Sequence, residues 1–293
     1  MATAPARLRA LLGRPGCVQM PCCFDALSAK LVAGSGFPVT FVSGFSAAAA
    51  KGLPDTGLMS YTEMEGVMRR VVTALDGQIP VIGDGDTGYG NAVNAKRTVK
   101  GYAAAGLAGI MIEDQVAPKR CGHTQGKAII DRAEAVARVQ AAVDASREAA
   151  DGIENDSILI VARTDARGTD GLDEALRRAQ DFRAAGADIC FVEAPQSVEE
   201  MQLICSEVEG PKMANMLAGG LTPVLPPVEL AAIGFKLAAY PLDLLNASIV
   251  AQRQALEGLK CGLPPPELTL PFKELCTLVG FDAYNAEADR YKT

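Results

Sequence analysis

Histidine, positive charge and long apolar runs are all scarce in this sequence of 293 residues. No stretch of about 18 uncharged apolar residues occurs, so we expect no segment to span a membrane. The formal net charge of −7 argues against a nucleic-acid partner, which normally requires a basic patch. It does not exclude a small anionic ligand, because a local basic pocket can oppose the overall field.

The eight cysteines have no regular spacing, and we expect no secretory leader, so reduced thiols in a cytoplasmic protein are favoured over disulfides. The first residues carry Arg7, Arg9 and Arg14 and no acid before Asp25, which resembles an organellar transit signal. The alternative, which we prefer, is a short amphipathic helix that ends at Gly13.

Short apolar runs alternate with helical patterns along the whole chain. The predicted strands are Cys17–Pro21, Val39–Gly44, Ile79–Asp86, Gly109–Asp114, Ile158–Asp165, Asp188–Ala194, Lys212–Met216 and Phe235–Pro241. Ser60 with Glu63, and Ser197 with Glu200, predict capping boxes at two helix starts.

Strands that alternate with helices predict a parallel sheet. At about 250 residues plus an extension, closure into a (β/α)8 barrel is favoured over an open doubly wound sheet. We therefore expect a single domain over residues 1–293, with a C-terminal helical extension from about residue 263 that is helical from about Pro271.

The predicted strands end in polar and charged side chains, and in a parallel barrel the active site lies at these ends. Such groups are costly to bury unless they are paired. They are Ser43, Asp84, Asp86, Glu113, Arg163, Glu193, Asn215 and Tyr240. One acid after a strand is usually a helix cap, but a ring of such residues indicates a site.

Asp84 and Asp86 are two positions apart, so they share a face if the strand continues that far. Together with Glu113 they form a carboxylate cluster that needs a cation or shared protons. Since the chain has one histidine and no nearby cysteine pair, oxygen ligation of Mg²⁺, or of Mn²⁺ in its place, is favoured. The alternative is that these acids only cap helices.

Gly83–Gly88 also matches the dinucleotide pattern G-x-G-x-x-G. In that motif the glycine amides face a pyrophosphate. Here Asp84 and Asp86 would repel it, so we reject this interpretation.

A basic segment follows the fourth predicted strand and contains Lys119, Arg120, Cys121 and His123. Cationic neighbours lower the pKa of a thiol and hold it near anionic substrates. Glycines on either side of His123 allow the loop to act as a lid. The alternative is a solvated basic loop with an incidental cysteine.

The sequence Lys-Arg-Cys-Gly-His at 119–123 resembles the catalytic loop of methylisocitrate lyases, with a close variant in isocitrate lyases. Gly83–Gly88, Ile112–Gln115, Ala162–Asp165 and Phe191–Pro195 are also similar to the isocitrate lyase/phosphoenolpyruvate mutase superfamily. The resemblance covers about Leu8 to Tyr291. It implies a (β/α)8 barrel whose C-terminal helices are exchanged between subunits, a homotetramer, and a small carboxylate as substrate.

The resemblance also implies roles for single residues. Asp84 would bind Mg²⁺ directly, and Asp55, Asp86 and Glu113 would hold waters on the ion. Cys121 would exchange a proton with the carbanion, within a catalytic set that includes Lys119, Arg120 and His123. The residues implied for substrate binding are Ser43, Gly44, Phe45, Arg163, Glu193 and Asn215.

Two positions differ from methylisocitrate lyases, which have tyrosine where this chain has Phe41 and an arginine in the segment occupied here by Pro271–Leu275. Both differences resemble the petal death protein and oxaloacetate hydrolase branch, which includes dimethylmalate lyases. We therefore expect cleavage of a 2-hydroxy- or 2-oxo-dicarboxylate. A phosphonate enzyme (phosphoenolpyruvate mutase or phosphonopyruvate hydrolase) and a catalytically silent barrel stay open as alternatives, although the phosphonate enzymes lack cysteine at position 121.

Overall fold

The computed structural model describes residues 2–122, 126–151, 153–263 and 265–292. It divides into two compact units, Met1–Leu244 and Leu245–Thr293. The first unit contains all eight strands: β1 (Val18–Cys23), β2 (Thr40–Val42), β3 (Val81–Asp84), β4 (Gly109–Glu113), β5 (Leu159–Thr164), β6 (Ile189–Val192), β7 (Met213–Asn215) and β8 (Leu237–Tyr240). Seven of them lie inside the predicted ranges, and β1 runs two residues further.

Helices follow the strands in alternation. They are α1 (Ala4–Leu12), α2 (Ala26–Gly34), α3 (Gly44–Ala50), α4 (Tyr61–Leu75), α5 (Ala92–Ala104), α6 (Arg132–Ala149), α7 (Ala166–Thr169), α8 (Leu172–Ala184), α9 (Val198–Glu207), α10 (Pro227–Ile233), α11 (Asp243–Lys260), α12 (Phe272–Val279) and α13 (Phe281–Asp289). Among the helices of the described residues, none has the length and apolar character that crossing a membrane requires.

The strands form one sheet in the order β6-β5-β4-β3-β2-β1-β8-β7, and the paired neighbours run parallel. The two outer strands meet as well, through a parallel bridge between Cys190 and Lys212 and a hydrogen bond of 3.0 Å from Cys190 N to Pro211 O. The sheet therefore closes on itself, and the predicted (β/α)8 barrel is confirmed.

Apolar side chains from alternate strand positions fill the inside of the barrel, because successive side chains of a strand point to opposite faces. This cluster includes Met20, Phe41, Met111 and Met213. Leu8 of α1 is fully buried in the same cluster, and α1 ends at the C-cap Gly13 as predicted. The first helix is therefore part of the folded barrel unit.

The two capping boxes predicted at helix starts are formed to different degrees. Ser60 and Glu63 form the predicted capping box, with Ser60 N donating to Glu63 Oε2 at 2.8 Å. Ser197 caps α9 through Glu200 N, but the Glu200 carboxylate binds Gln196 N and Arg167 instead of the Ser197 amide. The second predicted box is therefore only half formed.

In the second unit, Gly280 (φ 101°) separates α12 from α13, so the single helix predicted from Pro271 is two helices. Both carry large apolar side chains that are exposed in the single chain, including Phe272, Phe281 and Tyr284. Exchange of these helices between subunits stays a prediction.

Candidate active site

A cavity opens where the strands of the barrel end. Its lining comes from strand ends and from the loops that follow them: Cys22, Phe41, Ser43, Phe45, Asp55, Asp84, Met111, Lys119, Arg120, Cys121, Gly122, Arg163, Phe191, Glu193, Met213, Asn215, Leu217, Ala239, Pro241 and Leu242. This is the position at which a parallel barrel places its active site.

The cavity has an apolar side, of which the sequence analysis singled out Phe41 and Phe45 but not Phe191 or Met213. Three of its residues lie on strands, two positions before a polar residue that ends or directly follows the strand, in the pairs Phe41/Ser43, Phe191/Glu193 and Met213/Asn215. Two positions along a strand is one period, so both members of a pair face inward. These residues could have been predicted by also considering, in each strand, the residue two positions before its polar end.

Asp84, Asp86 and Glu113 are all buried beside this cavity. Asp84 Oδ1 accepts a hydrogen bond from Asp86 N at 3.1 Å, and Asp84 Oδ2 accepts one from Gly44 N at 3.1 Å. However, β3 ends at Asp84, and Asp86 has a φ of 47°. The strand does not continue as the shared-face argument required, and a left-handed turn brings Asp86 next to Asp84 instead.

Lys119 lies between two of the acids. Its Nζ is 2.6 Å from Asp55 Oδ1 and 2.7 Å from Asp86 Oδ1. Burial lowers the pKa of the ammonium, but the charges of Asp86, Asp84 and the other acids outweigh burial and hold this pKa well above its ordinary value. Lys119 is therefore a fixed cation within the carboxylate cluster.

Asp84 and Glu113 are poorly solvated acids. Burial first, and then the charge of Asp86, raises the pKa of Asp84 to about 6, although Lys119 opposes the shift. Burial also raises the pKa of Glu113 well above its ordinary value against the opposing charges of Arg163 and Lys119. An additional cation at this cluster would favour the ionised form of both acids.

Arg163, from β5, is held by three carboxylates. Its Nε donates to Asp165 Oδ2 at 2.9 Å and lies 3.4 Å from Glu113 Oε2, and its Nη2 is 3.2 Å from Glu193 Oε2. Burial lowers the pKa of this guanidinium, but the neighbouring acids outweigh burial and raise the pKa well above its ordinary value. Arg163 thus presents a rigid positive charge to the cavity.

Two tyrosines that the sequence analysis did not single out support the acids. Tyr89 Oη donates to Asp86 Oδ2 at 3.2 Å, and Tyr102 Oη donates to the Asp84 carbonyl at 2.9 Å. Tyr89 has a φ of 60°, a left-handed conformation that is uncommon for a residue with a side chain. In this conformation the Tyr89 hydroxyl group donates its hydrogen bond to Asp86.

The basic loop lies over Arg163. A Cβ atom added to Gly122 would lie 2.4 Å from Arg163 Nη2 and 2.8 Å from Glu193 Oε2, so the loop backbone packs directly on that pair. Cys121 is half-buried and lines the cavity. His123 lies outside the described residues, and its role stays a prediction.

Most residues predicted for the site do meet in one cavity. The lining includes Ser43, Phe45, Asp55, Asp84, Lys119, Arg120, Cys121, Arg163, Glu193 and Asn215. Asp86 and Glu113 contact this set from behind. The amides of Ser43 and Gly44 bind Cys23 O and Asp84 Oδ2 in this structure, and their predicted role toward a substrate stays a prediction.

Tyr240 is an exception among the strand ends. Its hydroxyl accepts a hydrogen bond from Gln19 Nε2 at 3.4 Å, and the residue lines a separate cavity with Pro21 and Leu31. The neighbours of Tyr240 along the chain, Ala239 and Pro241, line the candidate site instead. Tyr240 therefore faces the other side of the sheet.

The donor set fits a hard divalent cation that is bound partly through water. Within the described ranges, no three His, Cys, Asp or Glu side chains converge closely enough to enclose an ion. Asp84 nevertheless faces the cavity, and Glu113 Oε1 is buried without a hydrogen-bond partner in the part of the chain described. Mg²⁺ is usually held by one or two carboxylates and keeps several waters.

The glycines of the rejected dinucleotide pattern have a packing explanation. A Cβ atom at Gly85 would lie 2.6 Å from Met111 O, and one at Gly88 would lie 2.9 Å from Ala95 Cβ. These glycines allow close packing inside the barrel wall.

Comparison with known proteins identifies the family of this chain. The family model described as phosphoenolpyruvate phosphomutase matches residues 8–260. The chain is 41% identical over 281 residues to the 2,3-dimethylmalate lyase of Eubacterium barkeri, covering 96% of this chain and 92% of that protein. It is 40% identical to the chloroplastic carboxyvinyl-carboxyphosphonate phosphorylmutase of Arabidopsis thaliana, covering 97% and 84%. It is 39% identical to the 2-methylisocitrate lyase of Aeropyrum pernix, covering 86% and 78%.

A solved structure of a 2,3-dimethylmalate lyase, described as a member of the PEP mutase/isocitrate lyase superfamily, superposes with a TM-score of 0.91 at 33% identity, covering 99% of this chain and 96% of that one. The fold and the similarity over nearly the whole chain therefore agree. This chain belongs to the phosphoenolpyruvate mutase/isocitrate lyase superfamily, and it is a carbon–carbon lyase.

Proposed function

We propose that the protein is a Mg²⁺-dependent lyase, with Mn²⁺ as a substitute, that cleaves a carbon–carbon bond in a small 2-hydroxy- or 2-oxo-dicarboxylate. The observation that carries the proposal is a single cavity lined by Asp84, Arg163 and Cys121. These residues supply a metal ligand, a fixed positive charge for a carboxylate, and a proton donor.

Asp84 would hold the ion directly, and Asp55, Asp86 and Glu113 would hold its waters. When bound, the ion supplies Lewis acidity at the substrate oxygen on which negative charge develops. Lys119, fixed between Asp55 and Asp86, adds positive charge at the same place. Electrostatic stabilisation of this kind is usually the largest contribution to catalysis.

For a 2-hydroxy acid, the bond between C2 and C3 breaks, and its electron pair stays on C3. The hydroxyl group on C2 becomes an oxo group and releases a proton. Phe41 has no atom that accepts a proton, so we assign this proton to one of the carboxylates that line the cavity. C3 then takes a proton from the Cys121 thiol, which acts as the general acid.

The shape of the cavity supports a dicarboxylate over a tricarboxylate. One side is apolar and aromatic, built by Phe41, Phe45, Phe191, Met213 and Leu217. A third carboxylate against this side would be desolvated without a partner, which is costly. An alkyl substituent would gain from burial there, as in the substrate named by the 2,3-dimethylmalate lyase relative.

Similarity to a carboxyvinyl-carboxyphosphonate phosphorylmutase keeps a phosphonate enzyme as the second candidate. A mutase moves the phosphoryl group between the enolate oxygen and carbon and adds no proton at carbon, so Cys121 would have no function as an acid in a mutase. A catalytically silent barrel would have no use for the buried acids, because they cost stability unless they serve a function.

A substrate panel tests the proposal. The protein with Mg²⁺ would be assayed on dimethylmalate, oxaloacetate, methylisocitrate, isocitrate and phosphonopyruvate. We expect turnover on a dicarboxylate, with the highest kcat/KM on one that carries an alkyl group. Turnover on phosphonopyruvate alone would overturn the lyase proposal, and inactivity on all five would support the silent barrel. The homotetramer and the cytoplasmic location stay predictions, and sedimentation velocity would test the first.

A further inference from the structure

The loop that carries Cys121 is held from one side by the Gln115 side chain. Gln115 follows β4 and is 1% exposed. Its Nε2 donates to Arg120 O at 2.9 Å, and its Oε1 accepts from Arg120 N at 2.9 Å. One carboxamide therefore satisfies both backbone groups of the residue directly before Cys121.

Gln115 is itself fixed to the barrel. The backbone carbonyl of Gln115 accepts a hydrogen bond from Arg138 Nη1 at 3.3 Å, and the same nitrogen donates to the backbone carbonyl of Glu113 at 2.9 Å. Arg138 is buried on α6. The position of Arg120 is thus tied through Gln115 to the end of β4.

The residue directly after Cys121 is held from the other side by Lys127. The ammonium of Lys127 donates to the Gly122 carbonyl and lies 3.0 Å from Asp165 Oδ1. The Lys127 side chain is 6% exposed and that of Asp165 is 0% exposed. Asp165 also receives a hydrogen bond from Arg163 Nε, the group on which the loop packs.

We propose that Gln115 and Lys127 are positioning residues that fix the backbone on both sides of Cys121 and so set the thiol over Arg163 and Glu193. The backbone of Arg120 anchors the loop through its two hydrogen bonds to Gln115. Displacing a catalytic group by about 1 Å costs on the order of a hundredfold in rate. Clamps on the residues directly before and directly after Cys121 keep such displacement small.

The catalytic role of Cys121 rests on the proposed function, but the positioning can be measured without any substrate. Gln115→Glu keeps the size of the side chain and replaces the donor that binds Arg120 O with an acceptor. The matched control is Gln140→Glu, because the exposed Gln140 donates from Nε2 to Asp144 Oδ1 on α6. Lys127→Met removes the second clamp, and Lys96→Met, which breaks the surface pair with Glu148, is its control.

The first readout is the rate at which iodoacetamide alkylates Cys121 at fixed pH, followed by peptide mass spectrometry. We expect this rate to rise severalfold in Gln115→Glu and in Lys127→Met and to stay within twofold of wild type in both controls. The second readout is kinetic, with kcat falling tenfold or more and KM within about twofold. If Gln115→Glu does not fold, as judged by circular dichroism, Gln115→Asn takes its place because the shorter amide cannot reach Arg120.

Unchanged alkylation of Cys121 in folded clamp variants would overturn the proposal, whether or not kcat falls, because a fall in kcat alone indicates only a structural role. If the wild-type protein turns over no compound of the panel, the proposed function fails, and the alkylation rates still decide the positioning.

Discussion

The backbone N–H of Gly44 donates to Asp84 Oδ2 at 3.1 Å, and a Cβ atom at position 44 would lie 2.6 Å from that oxygen. Gly44 is therefore required by the carboxylate that faces it across the barrel interior. This contact joins the start of α3 to the end of β3.

Gly44→Ala should push the Asp84 carboxylate away and lower kcat about tenfold or more. Crowding a packed interior typically costs about 1–3 kcal/mol of unfolding free energy. The control is Gly34→Ala, since a Cβ atom at the end of α2 meets nothing within 4 Å. Turnover and urea unfolding of both variants test this, and wild-type kcat in Gly44→Ala would contradict it.

Asp84→Ala should abolish turnover and Mg²⁺ binding while the fold survives, because it removes an acid that burial already disfavours in its charged form. Titration calorimetry with Mg²⁺ gives the binding result, and circular dichroism the fold. Dialysis of the wild-type protein against EDTA should remove activity, and added Mg²⁺ should restore it. Full activity after dialysis would rule out the metal assignment.

Cys121→Ser should lower kcat far more than substrate affinity, because a hydroxyl group has a much higher pKa than a thiol and is a poorer acid for the carbanion. The exposed Cys261 provides the control, and Cys261→Ser should have wild-type kinetics. If Cys121→Ser kept wild-type kcat on the carbon–carbon substrate that the wild-type protein cleaves, Cys121 would not be the acid.

Arg177 and Arg178 are adjacent on α8 but differ in their partners. Arg178 Nη1 is 3.1 Å from Asp114 Oδ2 with both side chains buried, whereas Arg177 is 58% exposed and pairs with Glu174. Arg178→Met should cost about 3–5 kcal/mol of unfolding free energy, since it leaves Asp114 buried with one cation fewer. Arg177→Met should cost less than about 1 kcal/mol. Equal midpoints in urea would show that the buried pair does not stabilise the barrel.

The strands, and the polar and charged residues at their ends, were predictable because both follow from patterns between neighbouring residues in the sequence. Apolar runs indicate buried strands. The carboxyl ends of parallel strands meet at one end of the barrel, whatever conformation the loops adopt. Two features were not predictable: the left-handed turn at Asp86, and the pairing of the Glu200 carboxylate with Arg167 in place of a hydrogen bond from the Ser197 amide. They depend on partners that lie close only after the chain folds.

The positioning residues were missed for the same reason. Gln115 was visible only as part of a family pattern, since nothing in its sequence context indicates that its amide turns back onto Arg120. Lys127 is likewise a loop residue with a buried side chain, and its carboxylate partner, Asp165, directly follows β5. Phe191 and Met213, in contrast, follow from the strand period and could have been predicted.

The closure of the barrel has a consequence for its thermal motions. Between β6 and β7, the part of the chain that the structure describes has one ladder bridge, at Cys190 and Lys212, whereas β4 and β5 share five paired positions. Amide protons beside this junction should therefore exchange with deuterium before those of the central strands. Glu193 and Asn215 stand on opposite sides of the junction and are joined by a hydrogen bond of 3.3 Å. A substrate that contacts both Glu193 and Asn215 would slow this exchange. Its binding would therefore be measured as protection of the amide protons of β6 and β7.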